Sequence, residues 1–236
     1  MNDASLFLVP AMKETLVAPT INNMEQVLLD ISEIGLDAII DEGVLKDIPV
    51  LRTIAAVCKT GINIRERNLI RQTAVFIRQF EKGNIKPLEL ENYKKRMQSS
   101  PKETEREIER VLLCLYQSID TYKTRVLGAF YVGYINQIIN WDRFCELSDA
   151  NSRMFIHDYE MLYKYARRNL YSDEPISNDT HYQVARLVSI GLMIENKEPR
   201  ITDDGLMEFF RTQGSFFLSS LGNDFYALMP KDEFEK

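Results

Sequence analysis

The sequence predicts a mainly α protein: a helical bundle closed by a C-terminal winged-helix-like unit with a small two-stranded β wing. Three observations carry this. Apolar residues recur at three- and four-residue spacing through most of residues 20–170, the period of amphipathic helices. Glycine and proline number only 10 and 8 in 236 residues, too few for an all-β fold with many tight turns. Residues 178–229 read as helix, short strand, polar excursion, short strand and closing helix.

Residues 1–20 hold Pro10 and Pro19 and little periodicity, so an extended N-terminal arm is expected there. Met24, Val27, Leu28, Ile31, Ile34, Ala38 and Ile39 predict a helix over residues 22–42, capped by Asn22 or Asn23 and stopped by Gly43. A second helix begins near Asp47-Ile48-Pro49, because proline fits a first turn whose N–H groups lack partners anyway. Its stripe is Val50, Leu51, Ile54, Val57 and Cys58, with a break or kink at Gly61. Ile64, Leu69, Ile70, Thr73, Phe76, Ile77 and Phe80 line a third helix over 63–82, ended by Gly83-Asn84. Pro87 opens a short polar helix ending near Ser99.

Ser100-Pro101-Lys102-Glu103 has the form of a capping box with proline at the first helical position. The helix behind it is expected to be the longest. Ile108, Leu112, Leu115, Ile119, Tyr122, Val126, Ala129 and Gly133 alternate spacings of four and three, a heptad seam. Such a seam serves an internal bundle or self-association, and the internal bundle is favoured. Beyond Val126 the pattern is apolar on nearly all sides, which places the centre of the core there, with Gly128 and Gly133 admitting a close backbone. A short helix follows over 141–148, then one over 151–170 with Met154, Phe155, Tyr159, Leu162, Tyr163 and Ala166 inward. Ser172-Asp173-Glu174-Pro175 breaks it, and Ser177-Asn178-Asp179 caps the next. The expected organisation is an arm over 1–20, a bundle over 21–172 and the winged-helix-like domain over 173–236.

Charge is unevenly spread. Residues 1–58 carry 3 basic and 9 acidic side chains, residues 59–96 carry 10 and 4, and the whole chain has a net charge of −6. An acidic head beside a basic segment suggests internal pairing, or a basic surface for an anionic partner. Cys58, Cys114 and Cys145 are odd in number and far apart, which fits a reducing compartment better than a disulfide scaffold, and Cys114 reads as a buried thiol. No leader and no membrane-length apolar run stands out, so a cytoplasmic protein is expected.

The signatures of phosphate loops, dinucleotide folds, serine hydrolases and zinc proteases are missing. His157 and His181 are the only histidines, and neither is spaced with a cysteine as a zinc ligand would be. No catalytic residue, metal or cofactor is assigned. Arg153-Met154-Phe155-Ile156-His157 resembles the Arg…His motif of helical RNases of the HEPN class, but with three intervening residues where that class has four or more. On one continuous helix the two side chains would share a face and could cradle a phosphate, with His157 as acid or base. Asp158 and Glu160 beside them favour a plain surface patch. Glu195-Asn196-Lys197 is similar to the E-x-K of metal-dependent nucleases, yet no partner acid precedes it, and a wing tip is the expected role.

A winged-helix order invites DNA binding. Lys164, Arg167, Arg168, Arg186, Lys197 and Arg200 are the candidate cations, with His181, Gln183 and Arg186 as base-edge candidates on the helix over 179–190. Residues 160–211, however, hold 7 basic and 9 acidic side chains, a poor footprint for a polyanion. A packing or protein-interaction module is favoured.

Residues 187–194 and 218–225 resemble the C-terminal part of the Abi-alpha family, a bacterial group linked to phage exclusion, whose ending has the form L-x-x-L-G-L-I…L-T-x-x-G-x-x-F. Ser219-Ser220 stands where that family has Thr-Pro, and the wing is longer. The resemblance spans about a fifth of the chain and carries no functional residues over. Residues 43–71 also look like a segment recurring in uncharacterised bacterial and prophage proteins. The missing catalytic signatures, the heptad seam and this resemblance together suggest a non-enzymatic interaction component of a prokaryotic or phage conflict system, acting in defence or anti-defence through a protein partner or self-association along the long helix. The alternatives are a winged-helix transcriptional regulator and a peripheral membrane-acting protein using the helices over 64–80 and 50–58.

Overall fold

The structure, a computed structural model, describes residues 2–17, 48–57, 63–167, 181–196, 200–201, 207–208 and 215–234. These residues form ten helices and four short strands, and the chain divides into two compact units, Met1–Trp141 and Asp142–Lys236. The helix expected over 22–42, the break at Gly61 and the caps at Ser177, Asn178 and Asp179 lie outside the described residues.

The first unit holds α1 (Asn2–Val17), α2 (Pro49–Val57), α3 (Ile64–Lys82), α4 (Pro87–Ser99), α5 (Pro101–Gln117) and α6 (Thr121–Ile135). The extended arm is corrected: residues 2–17 are helical, with Pro10 inside. Proline there forfeits one backbone hydrogen bond, but Val9, Met12 and Leu16 sit on one buried stripe, and packing against α2 and α5 outweighs the loss. The Thr15 hydroxyl donates to the Ala11 carbonyl (2.9 Å) and accepts the Val50 N–H (3.1 Å). It thereby satisfies an amide in the first turn of α2 that the helix leaves without a partner.

α3 begins as expected at Asn63, with a full capping box. Asn63 Oδ1 accepts the N–H groups of Arg65 (2.9 Å) and Glu66 (3.0 Å), and Glu66 Oε2 accepts the Asn63 N–H (2.8 Å). At Ser100, where the sequence suggested a box, none forms: Pro101 opens α5, but the Ser100 side chain makes no cap bond.

The long helix is also corrected. It is two helices, α5 and α6, separated by residues 118–120, and α3 is the longest described. No glycine or proline marks the break. It is held from α3: Asn68 Nδ2 donates to the Ser118 carbonyl (2.6 Å), Gln72 Nε2 to the Ile119 carbonyl (2.8 Å), and the Thr124 hydroxyl to Gln72 Oε1 (2.5 Å). These bonds saturate carbonyls that a continuous helix would have paired with later amides. The heptad seam therefore has no single helix to run along. Ile108, Leu112, Leu115 and Tyr122 are buried in the unit's own core, and Ile119 points to solvent.

The core centres where the all-round apolar pattern predicted it. Tyr131 of α6 is fully buried, with Phe76 (5.7 Å between centroids), Phe80 (6.3 Å) and Tyr93 (6.2 Å, edge-on) around it, and its hydroxyl hydrogen-bonds that of Tyr93. Gly128 allows α6 to approach α3: a Cβ there would lie 2.9 Å from Gln79 Cβ and 3.3 Å from the Phe76 carbonyl oxygen.

The second unit holds α7 (Trp141–Arg153, starting one residue earlier), α8 (Ile156–Arg167), α9 (His181–Ser189), β1 (Met193–Asn196), β2 (Arg200–Ile201), β3 (Met207–Glu208), β4 (Ser215–Leu218) and α10 (Ser220–Leu228). β1 pairs antiparallel with β4, from Met193 opposite Leu218 to Asn196 opposite Ser215, and β2 pairs with β3, Arg200 opposite Glu208. α9, β1, β4 and α10 follow the helix–strand–strand–helix order read from the sequence, and the stretch read as a polar excursion carries the additional pair β2 and β3. The unit boundary falls at 141/142, earlier than the expected 172/173, because α8 packs on α9, β4 and α10. The helix expected over 151–170 is likewise divided at Met154-Phe155.

Ser219 joins sheet to closing helix. Its N–H donates to the Leu192 carbonyl (3.0 Å), its hydroxyl donates to the Gly191 carbonyl (2.5 Å), and its oxygen accepts the Gly222 N–H (2.9 Å) as the cap of α10. This brings α10 so close to β1 that a Cβ on Gly222 would lie 2.0 Å from the Leu192 carbonyl oxygen.

Candidate interaction surface

The break at Met154-Phe155 gives α8 a new N-terminus with Phe155 before its first residue. Asp158, third in the helix, reaches back: its Oδ2 accepts the Phe155 N–H (2.7 Å), the acidic half of a capping box. Asp158 is fully buried, and a buried carboxylate needs a cation as well as a cap. α9 supplies it. Arg186 Nε donates to Asp158 Oδ2 (2.7 Å) and Nη2 to Oδ1 (2.8 Å), a two-bond fork. The bond to Asp158 raises the Arg186 pKa above its ordinary value.

The fork fixes what lies around it. The Arg186 guanidinium sits 4.3 Å from the Phe155 ring centroid and 5.5 Å from that of Tyr182, one helical turn earlier on α9. Both rings are open to solvent, Phe155 by 62% and Tyr182 by 58%, and Ile156 beside them is exposed. Behind the patch, Tyr159, Leu162, Val184, Leu187 and Phe225 are buried, with the Tyr159 and Phe225 rings 6.0 Å apart and the Tyr159 hydroxyl on Asn151 Oδ1 (2.6 Å). The result is an exposed aromatic surface on a rigid support. Phe155, expected to face inward on an unbroken helix, faces out because the helix restarts at Ile156.

The nucleic-acid candidates do not assemble into a cationic surface. Arg186 is committed to Asp158. Lys164 pairs with Glu160 one turn back (2.7 Å), and Arg167 donates to the Tyr163 hydroxyl (2.7 Å) and lies over its ring. Arg168 and Lys197 lie outside the described residues, and of Arg200 only the backbone is described, in β2. Arg153 ends α7 and His157 lies in α8, so the shared helix face expected for this pair is absent. Among the described residues, no three His, Cys, Asp or Glu side chains are grouped as metal ligands would be, and no helix is long and apolar enough to cross a membrane. Cys114 is half-buried and, like Cys145, is not in a disulfide.

A second polar centre went unread in the sequence. Glu107 of α5 is buried among Arg96, which binds both its oxygens (2.5 and 3.0 Å), and Tyr134, which donates to Oε1 (2.6 Å). Arg96 also lies over the rings of Tyr93 (5.2 Å) and Tyr134 (5.1 Å). The cluster ties α4, α5 and α6 together. Arg96 and Glu107 are eleven residues apart across the 99–101 junction, and nothing in their local pattern marks them as partners. Compared with known proteins, the chain matches no family model, no curated protein sequence and no solved structure.

Proposed function

We propose that this chain is a non-enzymatic protein-interaction component of a prokaryotic or phage conflict system, and that its second unit is a winged-helix-like module that binds a protein rather than DNA. The observation that carries the reading is the Arg186 fork. The cation that a DNA-reading α9 would use is locked to a buried carboxylate, and the two rings it orders are turned to solvent. Aromatic residues with an ordered arginine are the side chains that dominate protein interfaces. A DNA reader would need several uncommitted cations on this face to neutralise phosphates. The conflict-system part of the proposal is supported by the resemblance of residues 187–194 and 218–225 to Abi-alpha proteins.

The test is affinity purification of the full chain from cells that naturally express it, as wild type and as the Phe155→Ser/Tyr182→Ser double variant. A protein retained by the wild type and lost from the folded variant is expected. Identical retained proteins, or nuclease-sensitive retention by the wild type, would overturn the reading.

A further inference from the structure

The first unit carries a different surface, independent of the one above. Among the described residues of this unit, the two most exposed large apolar side chains are Ile64 (86%) and Ile119 (81%), and the fold brings them to one end of the bundle. Ile64, Asn68 and Gln72 follow one another at four-residue spacing on α3 and share a stripe. Asn68 and Gln72 hold the carbonyls of Ser118 and Ile119, so that stripe faces the 118–120 turn, with Ile64 one helical turn beyond the bonded pair. Leu113 and Tyr116, exposed near the end of α5, lead into the same turn. The polar groups there are used inward: Ser118 and Thr124 share a hydrogen bond (3.0 Å), and Thr124 also binds Gln72. Ile119 itself is left outward, with the exposed Gln117 and Thr121 on either side of the turn.

Beside these side chains lie the exposed Arg65, Arg67 and Arg71, and an open depression is lined by Asn63, Ile64, Arg65 and Arg67. Of the two acids nearest in the chain, Glu66 is turned back onto the Asn63 amide and Asp120 is half-buried. Residues 63–72, which supply this end of α3, hold 3 basic and 1 acidic side chains in a chain of net charge −6.

We propose that this end of the first unit, built from Ile64, Ile119, Tyr116 and the exposed Arg65 and Arg71 of α3, is a peripheral attachment site for an anionic lipid surface. Aliphatic side chains enter the boundary between headgroups and acyl chains, tyrosine sits at the interface, and guanidinium groups fork onto phosphate oxygens. Ile119 projects from a helix-to-helix turn. A bilayer accepts such a projection without a matching pocket, whereas an acidic protein would have to supply one. The binding is weak and salt-sensitive, since few charges and few apolar side chains take part.

Flotation of the full chain with phosphatidylcholine vesicles, with and without phosphatidylserine, tests this. The protein is expected to float only with the serine lipid and to be released by salt. Ile64→Asp and Ile119→Asp should each lower the bound fraction roughly tenfold, by replacing an inserted aliphatic group with a charge repelled by the surface. Ile138→Asp, at the other end of α6, should leave it unchanged, and circular dichroism should show all three variants folded. Failure of the wild type to float, or flotation of Ile64→Asp and Ile119→Asp equal to that of the wild type, overturns the proposal. So does an Ile119→Asp variant that floats normally but loses a self-associated form of the protein, because a second copy would then cover the patch.

Discussion

Arg186 and Asp158 form a closed pair: a two-bond fork joins α9 to the first turn of α8, and one oxygen of Asp158 also caps that helix. The two members are unequally buried, the carboxylate completely and the guanidinium only in part. Removing Arg186 leaves a buried charge with only its cap, whereas removing Asp158 leaves an arginine that can turn to water. Arg186→Ala should therefore destabilise the second unit by about 3 kcal/mol or more, and Asp158→Ala by less. Urea unfolding of both variants checks the order, and Asp158→Ala as the more damaging change would contradict it.

Gly222 faces a backbone atom that cannot swing aside. A methyl group would meet the Leu192 carbonyl oxygen, which also receives the Ser219 amide. Gly222→Ala should cost about 3 kcal/mol by prising α10 from β1. Thermal unfolding followed on the second unit checks this, and an unchanged midpoint would mean that α10 and β1 are further apart than described.

Gln72 determines where α5 ends. Replacing it with leucine leaves the Ile119 carbonyl and the Thr124 hydroxyl short of a partner, at a cost of about 1–3 kcal/mol. Amide hydrogen exchange around residues 118–121 should quicken beyond that global loss. A variant with no change in exchange there would show that the break is set by something other than α3.

Tyr93, Tyr131 and Tyr134 all have pKa values raised above the ordinary tyrosine value, first by burial; Glu107 raises all three further, and the neighbouring Tyr93 also raises Tyr131. A raised folded-state value means the native state holds these protons more tightly. The stability they contribute is full below the unfolded tyrosine value of about 10 and is lost as pH rises through and above it. Part of the tyrosinate absorbance should thus appear only together with loss of the helical signal in alkaline titration. All of it appearing while the helices persist would contradict this.

Much of the helical pattern was legible. Pro49, Asn63, Pro87 and Pro101 each open a helix where the sequence placed one, because these signals act within a single turn. The two breaks that matter most were not legible, for the same physical reason in both cases. At 118–120 the chain leaves the helix because Asn68 and Gln72, some fifty residues away, offer better partners for its carbonyls. At Met154-Phe155 the interruption is matched by Asp158 reaching back to the Phe155 amide, with Arg186 behind it. A seam read along residues 108–133 assumed continuity that only tertiary contacts could deny. The candidate surface was hidden likewise: Phe155 and Tyr182 look like core or neutral helix positions until the restart at Ile156 turns the first outward and Arg186 joins them.

The most direct test of the central claim is photo-crosslinking from position 182. A photoreactive amino acid replaces Tyr182 in the full chain, which is irradiated in cells that naturally express it, with Ser189 on the same helix as the control position. The account predicts a discrete protein adduct from position 182, weaker or absent from 189 and lost when Phe155→Ser is added. Adducts to nucleic acid from position 182, or the same protein adducts from both positions, would contradict it.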